Sequence, residues 1–281
     1  MKALTPREVQ LGELEVMKAL DEICDRLNLR YFLTYGTLLG AVRHQGFIPW
    51  DDDVDVMMPR PDYEKLIAYL MEHAKEIAPL KLMHYKTNKK YIYPIARLVD
   101  TRYWIDYHGA ADYGLGLFVD IYPLDGCGNT PEEATQIMEG SKKAVSMIDL
   151  AGRDKFYRSA SGGFVRNVAK FAAYCYGKLL GANHFAAKLD TQGKNRPYDS
   201  TYVNLTTWFT AVKPFRKELF DQVERMQFED AMLWVPTRYD EILTQCYGDY
   251  MKLPPADQQI AHHNYTAYLL EDADACVANR T

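Results

Sequence analysis

The chain has 281 residues, of which 48% are hydrophobic and 25% charged, and its net charge is −5. A chain this long buries about three quarters of its unfolded surface and needs no disulfide staples; it suggests one large domain or a domain with a substantial second part. The acidic balance argues against sequence-blind nucleic-acid binding, which requires a basic face, but leaves room for a local basic pocket for phosphates. Five scattered cysteines form no CxxC pair. Neither a disulfide framework nor a cysteine zinc site is therefore expected, and reduced thiols fit a cytoplasmic protein. There is no apolar signal core at the N-terminus and no apolar run of about 18 residues, so no membrane-spanning helix is expected.

Residues 8–28 place Leu11, Leu14, Met17, Leu20, Ile23, Cys24 and Leu27 at helical spacing. Residues 31–35 read as a strand, broken by Gly36-Thr37, and residues 38–42 as the start of a helix. A loop with Gly46 and Pro49 leads to residues 53–57, where acid and apolar residues alternate with the period of a strand. Pro59-Arg60-Pro61 reads as a stop, and Asp62 as the N-cap of a helix over 63–77. Strands are predicted at 80–85, 92–99, 102–107 and 117–121, then a helix opened by Pro131 and reaching about residue 150. The polar stretch 151–163, with Gly152 and Ser161-Gly162-Gly163, marks a boundary between a core of residues 1–150 and a helix-rich part of residues 151–281. Helices are expected there at 164–180, 183–191, 216–222 and 237–246, and the acidic tail after 270 reads as loose. The fold class is α/β or α+β, a mixed sheet surrounded by helices.

The most informative stretch is Trp50-Asp51-Asp52-Asp53-Val54-Asp55-Val56. On a strand Asp53 and Asp55 share a face, roughly 7 Å apart, while Val54 and Val56 face the core. Carboxylates this close repel unless one is protonated or a cation neutralises them. Mg²⁺ fits, as a hard ion that takes one or two carboxylates plus substrate phosphates. Read from the residues alone, the cluster is either that site or a solvated acidic turn. An EF-hand is disfavoured: Asp51, Asp53 and Asp55 fall on its first ligand positions, but Val56 stands where a Gly is needed and Asp62 where a Glu is needed. There is no GxSxG, GxxxxGK or HExxH, and Gly114-Leu115-Gly116 lacks the third glycine of a dinucleotide fingerprint. His262 and His263 are adjacent and cannot share a face of regular structure.

Strand, Gly36-Thr37, short helix and acidic strand follow one another as in the nucleotidyltransferase superfamily, which this layout resembles; here Thr37 replaces the usual Ser and the intervening segment is slightly long. YGTLLGAVRHQGFIPWDDDVDVMMPRPDYEKL closely resembles the signature of the LicD family of phosphotransferases, related to fukutin and fukutin-related protein. GLFVDIYPLDG and YDEILTQCYGDYMKLPP resemble its second and C-terminal blocks, so the resemblance covers most of residues 20–265. It implies a nucleotidyltransferase-like sheet and transfer of phosphocholine from CDP-choline to a hydroxyl of a cell-surface glycan, of teichoic acid or lipopolysaccharide type, with release of CMP.

The resemblance further implies Mg²⁺, with Mn²⁺ as the alternative, held by Asp53, Asp55 and Asp120. Asp120 would also be the general base; an acid capping the next turn is its plainer reading. Asp51 and Asp52 would stand outside these ligands, and Asp125 reads as a turn residue. Gly36 and Thr37 would approach the donor phosphates at a helix N-terminus. Arg43 and Arg97 are candidates for neutralising the diphosphate, with a surface salt bridge as the alternative for each. Choline binds aromatic faces by cation–π attraction, which singles out Trp50, Tyr93, Trp104 and Tyr113, against ordinary packing. Aromatics far outnumber Asn and Gln around these blocks, which favours choline over a polyol. The acceptor is expected to be lipid-linked, at the inner face of the membrane. The helix at 164–180 is apolar on most sides, so an interior position is expected for it; the second reading rests it on a membrane surface. Rival readings are transfer of another phospho-alcohol from a CDP donor, nucleotidyl transfer from an NTP, and a non-enzymatic acidic metal-binding module.

Overall fold

The computed structural model describes residues 1–108, 113–159, 163–208, 213–261 and 264–270. His262-His263, the Ser161-Gly162 break and the tail beyond 270 lie outside the described residues. In chain order the elements are β1 (Lys2–Ala3), α1 (Pro6–Leu27), β2 (Phe32–Leu33), α2 (Tyr35–His44), β3 (Asp55–Pro59), α3 (Arg60–Glu72), β4 (Leu80–Met83), β5 (Ala96–Asp100), β6 (Tyr103–Tyr107) and β7 (Leu117–Gly126). There follow α4 (Pro131–Gly152), α5 (Phe164–Leu180), α6 (Ala182–Lys194), β8 (Tyr202–Leu205), β9 (Phe215–Arg216), β10 (Val223–Phe228), β11 (Ala231–Pro236), α7 (Tyr239–Tyr247) and β12 (Tyr265–Leu269). The fold is mixed α and β, as the pattern predicts.

Compactness divides the chain differently from the boundary read at 151–163. One unit holds residues 1–83, 96–122 and 218–281, the other residues 84–95 and 123–217. This division has a topological cause: β10, β11 and β12 come late in the chain but pack with its beginning. The C-terminal part is also less helical than expected. Residues 215–216 are a strand and 217–220 a 3₁₀ turn, where a helix over 216–222 is predicted.

In the first unit the sheet order is β2-β3-β7-β5-β4. β5 runs antiparallel to β7, with Arg97 opposite Asp120, and β4 is antiparallel to β5. Strands β3, β5 and β7 are buried along their whole length, which suits a sheet covered on both faces. Helix α1 starts on a capping box in which Thr5 accepts from the Glu8 N–H and Glu8 reaches back to Thr5. It ends on the left-handed Asn28. Its inner stripe buries Val9, Leu14, Val16, Met17 and Leu20, each contributing roughly 1.5–3 kcal/mol. Strand β3 ends at Pro59, where the stop is read, and α3 begins at Arg60, ahead of the expected Asp62 N-cap, because Pro61 falls in the first helical turn, where its missing N–H needs no helical partner.

Two smaller pieces complete this unit. β12 pairs with both β1 and β6, bringing the C-terminal strand beside the N-terminus. β10 and β11 form a hairpin whose turn is Glu229-Asp230. Arg225 ties it to Asp21 of α1 through two contacts of 2.7 Å. At the turn, the Glu229 N–H donates to the Gln45 carbonyl at 2.8 Å, and the Glu229 carboxylate accepts from the Phe47 N–H at 3.2 Å and from Arg7 at 2.9 Å.

In the second unit α4 and α6 enclose a core of Ile148, Ala151, Ala182, Ala186 and Leu189, flanked by Tyr85, Ile92 and Phe185. The end of β7 pairs with β8, and β8 with β9. Helix α5 departs from the interior position expected of it: only Gly177 is buried. Among the described residues no helix is long and apolar enough to cross a membrane.

Candidate active site

The acidic loop is positioned before its chemistry begins. Two glycines let α2 approach it closely. A Cβ on Gly40 would sit 2.4 Å from the Gly46 carbonyl oxygen, and one on Gly36 would sit 2.5 Å from Asp51 Oδ2. The side-chain amide of Gln10 on α1 donates to the Asp51 carbonyl at 2.9 Å, and the Tyr265 hydroxyl on β12 donates to the Asp52 carbonyl at 2.9 Å. Three elements distant in sequence thus hold one loop.

Strand β3 starts at Asp55, so Asp53 lies in the extended segment that enters it. Carboxylate oxygens of Asp51, Asp52 and Asp53 converge within 4.8 Å of one another. Asp51 and Asp52, expected at the margin, therefore stand inside the cluster. Asp55 is buried, and its backbone N–H donates to Thr37 Oγ1 at 2.8 Å. Burial and the charges of Asp53, Asp120 and Asp51 push its carboxyl well above the ordinary range. Asp120 comes alongside because its N–H donates to the Val54 carbonyl at 2.9 Å. Asp53, Asp55 and Asp120 are brought together.

The remaining sequence candidates take varied positions. Arg97 is buried and binds Asp120 through Nε at 2.5 Å and Nη2 at 3.1 Å. Arg43 donates to the Tyr250 carbonyl at 2.8 Å and to His44 at 3.0 Å. Gly36 and Thr37 lie in the first turn of α2, where backbone donors point out of the helix. The same turn contains Tyr35 at φ 45°, a left-handed conformation unusual for a bulky residue. Asp125 is buried and accepts from the Thr206 hydroxyl in the second unit. Among the aromatics, Trp104 stacks on Tyr268 with centroids 5.4 Å apart, Trp50 meets His44 edge-on at 6.4 Å, and Tyr113 is half-buried. Tyr93 belongs to the second unit, in ring contact with Tyr91 and Trp208.

Two residues beside the acidic cluster, Glu13 and Tyr122, are not among the sequence candidates. Glu13 is fully buried, and neither carboxylate oxygen has a hydrogen-bond partner among the described residues. The charges acting on it are Asp53, Asp52, Asp120 and Asp51, and with burial they raise its carboxyl well above the ordinary range. It lies on the inner stripe of α1, three residues after Gln10 and four before Met17. An acid on an apolar helical stripe was the available signal. Tyr122 is the other: its hydroxyl faces Asp120 at 3.4 Å, and Asp120 and Asp55 lie beside it.

The donor set fits a hard divalent cation. It consists of carboxylate oxygens, and Asp55 Oδ1 and both Glu13 oxygens are buried with no hydrogen-bond partner among the described residues. Buried carboxylates left in this way are costly unless neutralised.

The family model described as LicD/FKTN/FKRP, nucleotidyltransferase domain, matches residues 28–130. The chain is 31% identical over 285 residues to the lipopolysaccharide cholinephosphotransferase LicD of Haemophilus influenzae, spanning 96% of this chain and 100% of that one. An uncharacterised protein of Rickettsia typhi is 35% identical over 118 residues, 41% of this chain and 35% of its own. Another, of Rickettsia prowazekii, is 48% identical over 52 residues, 18% of this chain and 20% of its own. The segment matched by the family model contains the acidic loop and Asp120, and with the end-to-end identity the chain belongs to the LicD family of phosphotransferases.

Proposed function

We propose that the protein transfers phosphocholine from CDP-choline to a hydroxyl of a cell-surface glycan and releases CMP. The observation that carries this reading is the identity along nearly the whole chain to a protein named as a lipopolysaccharide cholinephosphotransferase. The acceptor is a lipopolysaccharide- or teichoic-acid-type glycan carried on a lipid, and the sheet of the first unit is read as nucleotidyltransferase-like.

Asp53 and Asp55, with Asp51, Asp52 and Glu13 around them, would hold Mg²⁺ or Mn²⁺. When bound, the ion neutralises the donor diphosphate and the departing CMP. Asp120 orients the attacking hydroxyl and accepts its proton. Arg97 engages both of its oxygens, but a carboxylate has about four acceptor sites, so sites remain for the hydroxyl. The first turn of α2 directs backbone N–H groups toward an anion, and Gly36 allows its close approach. The aromatic rings of Trp50 and Trp104 offer faces to a quaternary ammonium group.

The test supplies CDP-choline, CDP-ethanolamine, CDP-glycerol, CDP-ribitol and, separately, nucleoside triphosphates, each with a glycan acceptor and Mg²⁺. The proposal expects CMP release with CDP-choline preferred. Pyrophosphate from a triphosphate would identify a nucleotidyl transferase instead, and preference for CDP-ribitol would overturn the choline assignment.

A further inference from the structure

Helix α5 has two contrasting faces. The inner one is packed: a Cβ on Gly177 would lie 3.0 Å from the Ala151 Cβ, so α5 and α4 cross closely there. Asn167 accepts from the Ser159 N–H at 2.9 Å, Lys170 donates to the Tyr157 carbonyl at 2.9 Å, and Tyr174 to the Asp154 carbonyl at 3.1 Å. The outer face carries Phe164, Val165, Val168, Phe171, Tyr176 and Leu179. Phe164, Val165 and Leu179 are 84%, 80% and 82% exposed. Residues 164, 168, 171, 175 and 179 follow helical spacing, so the apolar side chains form one stripe along the helix. An exposed apolar stripe of this kind marks an interaction surface.

Charge identifies what the stripe meets. The second unit holds 17 Lys and Arg against 8 Asp and Glu, although the whole chain is at −5. The bias is strongest around α5 itself, where Arg153, Lys155, Arg158, Arg166, Lys170 and Lys178 stand against two acids, Asp154 and Asp149, the latter paired with Arg153 at 2.6 Å. A second copy of this face would bring like charges together. An anionic phospholipid surface instead takes the apolar stripe into its acyl boundary and attracts the surrounding cations.

We propose that α5 docks the protein on an anionic phospholipid membrane, its outer stripe inserted at the headgroup boundary and its basic surroundings against the headgroups. This inference is independent of the reaction and of the metal site.

Flotation of the full chain with vesicles tests it, using phosphatidylcholine alone and phosphatidylcholine with phosphatidylglycerol at about 3:1. The wild type should float with the mixed vesicles, bind phosphatidylcholine more weakly, and be released by high salt. Phe164→Glu/Leu179→Glu should keep the wild-type melting temperature, since both side chains point to solvent. It should weaken binding to the mixed vesicles on the order of 10-fold or more. Absence of wild-type flotation, or equal flotation of the folded variant, overturns the proposal. So does a wild-type dimer in sedimentation that the variant converts to a monomer without any vesicle binding, because the stripe would then join two copies. Binding that ignores lipid charge and salt overturns the anionic part and with it the assignment.

Discussion

Arg97 on β5 and Asp120 on β7 stand opposite each other in the sheet register and share a two-point hydrogen-bonded ion pair in the buried interior. The guanidinium thus fixes the third carboxylate of the acidic site rather than presenting an open face to solvent. Arg97→Ala should destabilise the fold by about 3–5 kcal/mol, because it strands a buried carboxylate. Arg97→Lys keeps the charge but loses the fork geometry, and should give an intermediate loss. Chemical denaturation reads both. If Arg97 served the donor diphosphate instead, Arg97→Lys would weaken donor binding and leave the denaturation midpoint unmoved.

Asp53→Asn and Asp55→Asn should each abolish transfer without unfolding the protein. Both remove a carboxylate from a repelling cluster, so the metal-free variants should melt above wild type. Calorimetric titration with Mn²⁺ alone should show affinity lowered on the order of 10-fold or more. Wild-type transfer by either variant would remove that aspartate from the site.

Glu13 and Asp55 carry a pH signature whose sign follows from burial. Both carboxyls lie well above the ordinary range in the folded state. As pH rises past about 4 the unfolded chain gives up protons that the fold retains. The unfolded state then binds fewer protons, so these groups contribute a loss of stability with rising pH. Glu13→Gln removes one such titration. Melting curves in chelator between about pH 4 and 8 should show the variant gaining on wild type as pH increases. Parallel curves would mean that Glu13 does not titrate differently in the two states.

Trp50→Leu and Trp104→Leu probe the ammonium contact. Each true contact contributes about 0.5–2 kcal/mol, so the variant should bind CDP-choline several-fold more weakly while CMP affinity stays unchanged. Titration with both ligands separates the two. Equal loss for both ligands would return the ring to ordinary packing.

The sequence showed α1, α4, the acidic strand and the neighbourhood of Asp120, because periodicity and capping residues are local signals. It did not show the β10–β11 hairpin. Its two-residue turn uses Glu229 at φ 56° and Asp230, not the Asn-Gly that marks such turns. Residues 31–35 read as a strand, yet Tyr35 already opens α2 in a left-handed conformation that no local preference of tyrosine predicts. β1 and β12 join the two ends of the chain, a pairing invisible to any short window. Helix α5 has the composition of an interior helix, and only tertiary structure shows which of its apolar positions stay uncovered. Glu13 shares the buried stripe of α1 with Val9, Val16, Met17 and Leu20, and apolar spacing marks such a stripe without singling out an acid on it.

The turn at Glu229 bears on how the protein can be shortened. The family model spans residues 28–130, which suggests a minimal fragment on paper. Yet Glu229 bridges Arg7 to the backbone at Gln45 and Phe47, and Tyr265 holds Asp52. A fragment cut to the matched segment would keep every aspartate of the cluster and lose the splints that set their spacing. Recombinant truncations and circular permutants should therefore retain both chain ends, and damage to residues near 229 or 265 should surface as a fault in cation binding rather than as a local loosening of the periphery.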